Sequence, residues 1–209
     1  MVTSHIAVSL DGYAAGPDQS LQDPLGRGGM RLHEWLFAAD RWREQHGETG
    51  GESGVDSRVV DELTRDVGAY VMGRGMFGGG TGPWDEGWRG WWGEDPPFHT
   101  PVFVLTHHPR PSLAMAGGTD FHFVTEGIHS ALEQARAAAG GREVSIGGGA
   151  ATVRQYLDAG LIDQLQLHIV PIVLGAGEPH FAGLTALRLH QTRVLAGPTV
   201  THVTYRVLH

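Results

Sequence analysis

The apolar positions of this chain follow two rhythms. Compact, β-branched runs at 2–10 (VTSHIAVSL), 69–72 (AYVM), 101–106 (PVFVLT), 121–124 (FHFV) and 163–173 (around LQLHIV) predict strands. Between them the apolar residues recur at helical spacing. Leu32, Trp35, Leu36, Ala39 and Trp42 predict one helix over 31–46, and Val55, Val59, Val60 and Leu63 predict another over about 55–66. A third covers 128–139, with Thr125 as its N-cap and Gly140-Gly141 as its stop. A fourth covers 150–159 and ends at Gly160. Two tail strands, about 186–195 and 199–208, are joined by Ala196-Gly197-Pro198 and read as a hairpin. Strands and helices alternate through two thirds of the chain, and the end is antiparallel. That order implies an α/β fold with one mixed, mostly parallel sheet of about eight strands, flanking helices, and a single domain over 1–209.

The connections carry their own signals. Asp11-Gly12 and Gly16-Pro17-Asp18 break the chain after the first strand. The stretch 47–54 (GETGGESG) reads as a polar, mobile loop, and 78–100 as a long loop holding Trp84, Trp88, Trp91 and Trp92. Composition narrows the functions open to the chain. Hydrophobic residues make up 41% of the 209, enough for a real core. A net charge of −8 disfavours nucleic-acid binding, which needs a basic face. The absence of cysteine excludes disulfides, thiol nucleophiles and cysteine-ligated metals, and with them a zinc deaminase. No apolar run is long enough to span a membrane, and the start lacks a signal-peptide layout. A soluble cytoplasmic protein is the expectation.

The candidate chemistry lies where strands end. Gly147, Gly148 and Gly149 separate a strand from a helix in VSIGGGAATVRQYL. Residues without side chains allow a ligand close to the backbone, and a helix N-terminus offers free N–H groups to a phosphate. Gly73-Arg74-Gly75-Met76-Phe77-Gly78 fits G-x-G-x-x-G but is followed by GGTGP, which cannot sustain the helix a Rossmann unit requires. What remains useful there is Arg74 at a strand's C-terminal end, a forked donor suited to phosphate. A third strand runs into Thr106-His107-His108-Pro109-Arg110. Three strand ends with phosphate-friendly groups outline a nucleotide groove.

The succession SLDGYAAG (9–16), YVMGR (70–74), PVFVLTHHPR (101–110), IGGGAATVRQYL (146–157) and LIDQLQLHIVPIVLGAGEPHF (161–181) resembles the dihydrofolate-reductase-like superfamily. Within it the chain is most similar to the C-terminal reductase domain of the bifunctional riboflavin-biosynthesis deaminase/reductase. The resemblance implies an eight-stranded sheet, a homodimer and an NADPH site. It places Gly147, Gly148 and Gly149 on the pyrophosphate, with a cis peptide between Gly147 and Gly148, and adds the backbone N–H groups of Ala150, Ala151 and Thr152. Arg74 and the Thr106–His107 pair, with Arg110 beside them, would hold the adenosine ribose and its 2′-phosphate, and Gly73 is a further cofactor-binding residue. Ala7 and Ala14 would hold the nicotinamide carboxamide, near Asp11 and Gly12. Asp56 stands close to the position of a substrate-binding carboxylate, provided one extra residue is absorbed; as a helix-start Asp it is equally a cap or dipole partner. The tryptophans either stack on a planar heterocycle or form a lid packed on the sheet. Glu178 and His180 flank a glycine-rich turn at the substrate end. The expected activity is NADPH-dependent reduction of a small planar heterocycle or carbonyl/imine metabolite. A non-catalytic nucleotide- or flavin-binding protein is the alternative.

Overall fold

The computed structural model describes residues 1–208. The β-branched runs become strands β1 (Val2–Ser9), β3 (Val67–Gly73), β4 (Pro101–Leu105), β6 (Asp120–Val124), β7 (Glu143–Gly148), β8 (Gln164–Val170), β10 (Arg188–Ala196) and β11 (Thr201–Leu208). Three short strands accompany them: β2 (Tyr13–Ala15), β5 (Leu113–Ala114) and β9 (Glu178–Pro179). The main sheet runs β10-β11-β8-β1-β7-β3-β4-β6-β5. It is the expected eight-stranded sheet with the two-residue β5 added at one edge. The six strands from β8 to β6 are mutually parallel, whereas β10, β11 and β5 pair antiparallel. All six parallel strands therefore end on the same side of the molecule.

Helices cover both faces. The helices α5 (Gly127–Ala139) and α6 (Ala150–Asp158) pack Ala131, Leu132, Val153 and Tyr156 onto Val71, Val144 and Ile146. On the opposite face α1 (Glu34–Ala38) and α3 (Val55–Arg65) bring Trp35, Val59 and Val60 over Ala7 and Val170. The rest of that face, around Met72, Val102 and Val104, lies under Phe77 and the tryptophan loop. Met72, Phe77, Val102, Val104 and Ile146 are fully buried, each contributing about 1.5–3 kcal/mol of transfer free energy.

Several local expectations are corrected. The helix expected over 31–46 is broken into a 3₁₀ turn at Gly29–His33, then α1, then α2 (Asp40–Gln45). Ala39 at the break is extended, with ψ 134°. The reason is tertiary: Glu52 donates its N–H to Ala38 O at 2.7 Å, and Asp40 N–H donates to Glu52 O at 3.1 Å. The loop 47–54 expected to be mobile is the segment that makes this pairing. At α5 the N-cap is Glu126, not Thr125, whose N–H and hydroxyl instead donate to the Glu126 carboxylate. After Gly73 a single helical turn, α4 (Arg74–Phe77), forms and stops at Gly78, where φ is 86°.

Candidate cofactor and substrate site

The strand ends singled out in the sequence are neighbours: β7, β3 and β4 are consecutive in the sheet, with Met72 opposite Gly148 and Gly73 opposite Leu105. The cis peptide lies between Gly148 and Gly149, one bond later than the resemblance implies, and β7 keeps its pairing as far as Gly148. Gly148 has φ 121°, a value that favours glycine. Gly149 is different. Its φ of −67° is open to any residue, and a Cβ built there meets nothing within 4 Å. The space above it is thus free for a ligand. At the start of α6, Thr152 N–H donates to Gly149 O at 2.9 Å, so it is already engaged. Ala150 and Ala151 are left to present their N–H groups at the positive end of the helix.

Gly73 joins the two strand ends. A Cβ at this position would overlap the Thr152 hydroxyl. Both residues are buried, so neither has room to yield. Gly73→Ala is expected to destabilise the fold by about 1–3 kcal/mol and to displace the α6 N-terminus. Denaturant unfolding measures the first effect and cofactor titration the second; unchanged values in both would show that the contact is not tight.

Beside Gly73, two guanidiniums meet one indole. Arg74 Cζ stands 3.7 Å from the Trp84 ring centroid, and Arg110 Cζ 5.2 Å from it. Arg74 Nε and Nη1 and Arg110 Nη1 are buried without a hydrogen-bond partner. Burial and then the Arg110 charge lower the Arg74 pKa; burial and then Arg89 lower that of Arg110. Two like charges held together with unused donors form a site that an anion would satisfy. Trp84 is itself fixed by donating its indole N–H to His108 O at 2.7 Å. Thr106 is committed to the turn, its Oγ1 accepting the His108 N–H at 3.1 Å, while His107 is exposed at the same edge.

The tryptophans resolve in favour of the lid. Trp84 packs edge-on against Phe123 at 5.0 Å, and Trp92 against Phe98 at 4.9 Å. The Trp88 indole N–H donates to Phe77 O at 3.1 Å. Gly78 and Gly79 let Trp91 and Trp88 lie directly on the backbone.

The other end of the groove opens between β1 and β7. Their ladder stops at Ser4 opposite Ile146, whereas β1 stays paired to β8 as far as Ser9 opposite Val170. Ala7 lies above the point where β1 and β7 part, and Ala14 follows on β2. The intervening loop is tied down by Asp11, whose carboxylate accepts the N–H of Gly175 at 2.7 Å and of Leu174 at 3.1 Å. The Ser9 hydroxyl, followed by those two N–H groups, holds the Asp11 pKa at about 2. Glu178 is engaged with Arg154 Nη2 at 2.7 Å. His180 is fully buried, and neither ring nitrogen has a partner. Burial and then Arg154 push its pKa down to about 4.

The family model described as the RibD C-terminal domain matches residues 1–203. The chain belongs to this family. The RibD-type domain is similar along its whole length to a riboflavin biosynthesis protein of Shewanella sp. PV-4, at 23% identity, with 99% of that chain covered and a TM-score of 0.64. A Thermotoga maritima diaminohydroxyphosphoribosylaminopyrimidine deaminase/5-amino-6-(5-phosphoribosylamino)uracil reductase matches at 13% identity and TM-score 0.57, but this domain spans only 56% of it. Dihydrofolate reductase of Enterococcus faecalis, solved with NADP(H), matches at 14% identity and TM-score 0.54, with 99% of this chain and 96% of that one covered. These likenesses show the dihydrofolate-reductase-like fold. No curated protein sequence matches the chain. No helix among the described residues is long and apolar enough to cross a membrane.

Asp56 is placed differently from the cofactor groups. In this RibD-type domain it sits on the first turn of α3, and its Oδ1 is 3.1 Å from His202 Nε2 on β11. β11 is two strands away from β1. The carboxylate therefore reaches β1 only through an imidazole pair, His202 and His168. Sequence reasoning missed those histidines, and missed Trp84 as the platform for Arg74. A signal existed: His168 interrupts the apolar run LQLHIV, and His202 stands in the β-prone stretch THVTY.

Proposed function

We propose that the domain is an NADPH-dependent reductase of a small, planar nitrogen heterocycle of the pyrimidine type. The carrying observation is the Arg74–Trp84–Arg110 cluster, with buried, unpartnered guanidinium donors at the end of the strand next to the glycine cradle. A dinucleotide fits this arrangement in order: a phosphate monoester on the two arginines, a pyrophosphate at Gly149 and the α6 N-terminus, and a nicotinamide at the β1–β7 opening by Ala7. When bound, the cofactor supplies a hydride; the protein binds and orients. Trp84 excludes water from one side of the arginines, and Asp11 holds the loop carrying Ala14 against the segment 174–175. Family membership and the uracil reductase name of the Thermotoga maritima relative support the substrate class.

Titration of NADPH and NADH into the purified protein, read by quenching of tryptophan fluorescence, tests the reading. NADPH is expected to bind in the micromolar range and more tightly than NADH. Failure of both to bind at millimolar concentration overturns it. Binding without NADPH oxidation across a panel of pyrimidines and pteridines would leave the non-catalytic alternative standing.

A further inference from the structure

Between the sheet and the α1–α3 layer runs a chain of buried polar groups. Asp56 Oδ1 lies 3.1 Å from His202 Nε2, and His202 Nδ1 lies 2.7 Å from His168 Nδ1. His168 is 2% exposed and His202 1%. Burial, with the neighbouring imidazoles of His5, His202 and His33, keeps His168 neutral. Burial also lowers the His202 pKa against the pull of Asp56. Neutral imidazoles fix the protons in this chain. A carboxylate can only accept, so His202 carries its hydrogen on Nε2 and has a bare Nδ1. His168 must then donate from Nδ1, which leaves its Nε2 as a bare acceptor. That nitrogen is buried and has no partner.

His168 is directly opposite Ala7 in the β1–β8 ladder. Trp35 lies over both imidazoles, with centroids 4.8 and 4.9 Å away, and its own indole N–H is also unpartnered. Trp35 sits on a five-residue helix that ends at the extended Ala39. We propose that Asp56, His202 and His168 form a relay that presents His168 Nε2 as an acceptor to a ring N–H of the heterocyclic substrate, in the space Trp35 occupies. Asp56 and His202 are positioning residues, and the relay replaces a direct contact between carboxylate and substrate. The relay selects a ring with an N–H donor over one that is alkylated or bare at that nitrogen. Other charged groups around it are Glu62 and Arg193 beside His202, with His5 stacked 6.3 Å from His168. This inference rests on the reductase reading for its ligand, but its proton positions do not.

Nitrogen-15 NMR of histidine-labelled protein at neutral pH, assigned with His168→Gln and His202→Gln, reads the protons directly. His202 is expected as the Nε2–H tautomer and His168 as the Nδ1–H tautomer, with Asp56→Ala releasing both preferences. The NADPH-loaded protein is then titrated with uracil and with 1,3-dimethyluracil, the same ring without N–H donors. Uracil is expected to shift His168 Nε2, and 1,3-dimethyluracil to leave it unmoved. Opposite tautomers, equal responses to the two rings, or no response to uracil up to its solubility limit would each overturn the proposal. NADPH binding, measured in the same samples, separates this failure from failure of the reductase reading. His168→Phe is expected to abolish uracil binding to the NADPH-loaded protein, read by tryptophan fluorescence, with NADPH affinity unchanged. A purely structural role would instead lower stability and leave uracil binding by the folded fraction intact.

Discussion

Arg74→Ala is expected to weaken NADPH binding by about 10- to 100-fold while changing NADH binding by less than about threefold, the range for losing one charge-assisted, partly buried phosphate contact. The two dinucleotides differ only by the 2′-phosphate, so the difference isolates the group that Arg74 reads. Arg74 comes off the C-terminal end of β3 and is held at 3.7 Å over Trp84, so its fork is oriented before any ligand arrives. It has unused donors at Nε and Nη1. Loss is not total because Arg110 stays on the same indole and is freed from the repulsion of its neighbour. Arg74→Lys keeps the charge and loses the fork, and is expected to fall between wild type and alanine. Isothermal titration with both cofactors measures this. Equal weakening of NADPH and NADH would show that Arg74 does not contact the 2′-phosphate.

Acidification from pH 7 to pH 4.5 is expected to cost the fold several kcal/mol. Five histidines, His5, His33, His168, His180 and His202, are held below the ordinary imidazole value, with burial as the largest cause for each. For His5 and His180 the folded value is about 4. The unfolded chain titrates near 6.5 and so binds more protons between those values. Stability is therefore complete above about pH 6.5 and is lost as the pH falls toward 4, at about 1.4 kcal/mol per pH unit for each such group. Two groups over two units already remove about 5 kcal/mol, comparable to the whole stability of many domains. Urea unfolding at a series of pH values reads the slope. His180→Phe removes one buried titrating ring and is expected to lower that slope by one proton. A slope near zero between pH 6.5 and 4.5 would mean that these rings are already charged, or hydrated, in the native state.

The two results rest on features of unequal legibility. Arg74 was readable because a strand ending in glycine puts the next residue at a known edge of a parallel sheet. Its partner Trp84 was not, because nothing local says which tryptophan of a 23-residue loop, 78–100, returns over β3. Nothing local to His168 or His202 marks them as a pair. Only the order β11-β8-β1 brings His202 beside His168, and His168 beside Ala7. Asp56 was visible as a helix-start carboxylate near an expected site, yet its partner lies 146 positions away.

The sequence by itself determined the strand–helix order, the hairpin at the end, and the glycine cradle between β7 and α6. Those properties are local: side-chain periodicity and backbone freedom act over a few residues, and neighbouring residues decide them. Tertiary structure alone decided the break at Ala39, the clamp of two arginines on Trp84, and the attachment of Asp56 to His202. Each of these depends on which strands become neighbours and in what register. A hydrogen bond or ring contact exists only within a few ångströms, and that proximity is set by packing the whole sheet rather than by spacing along the chain.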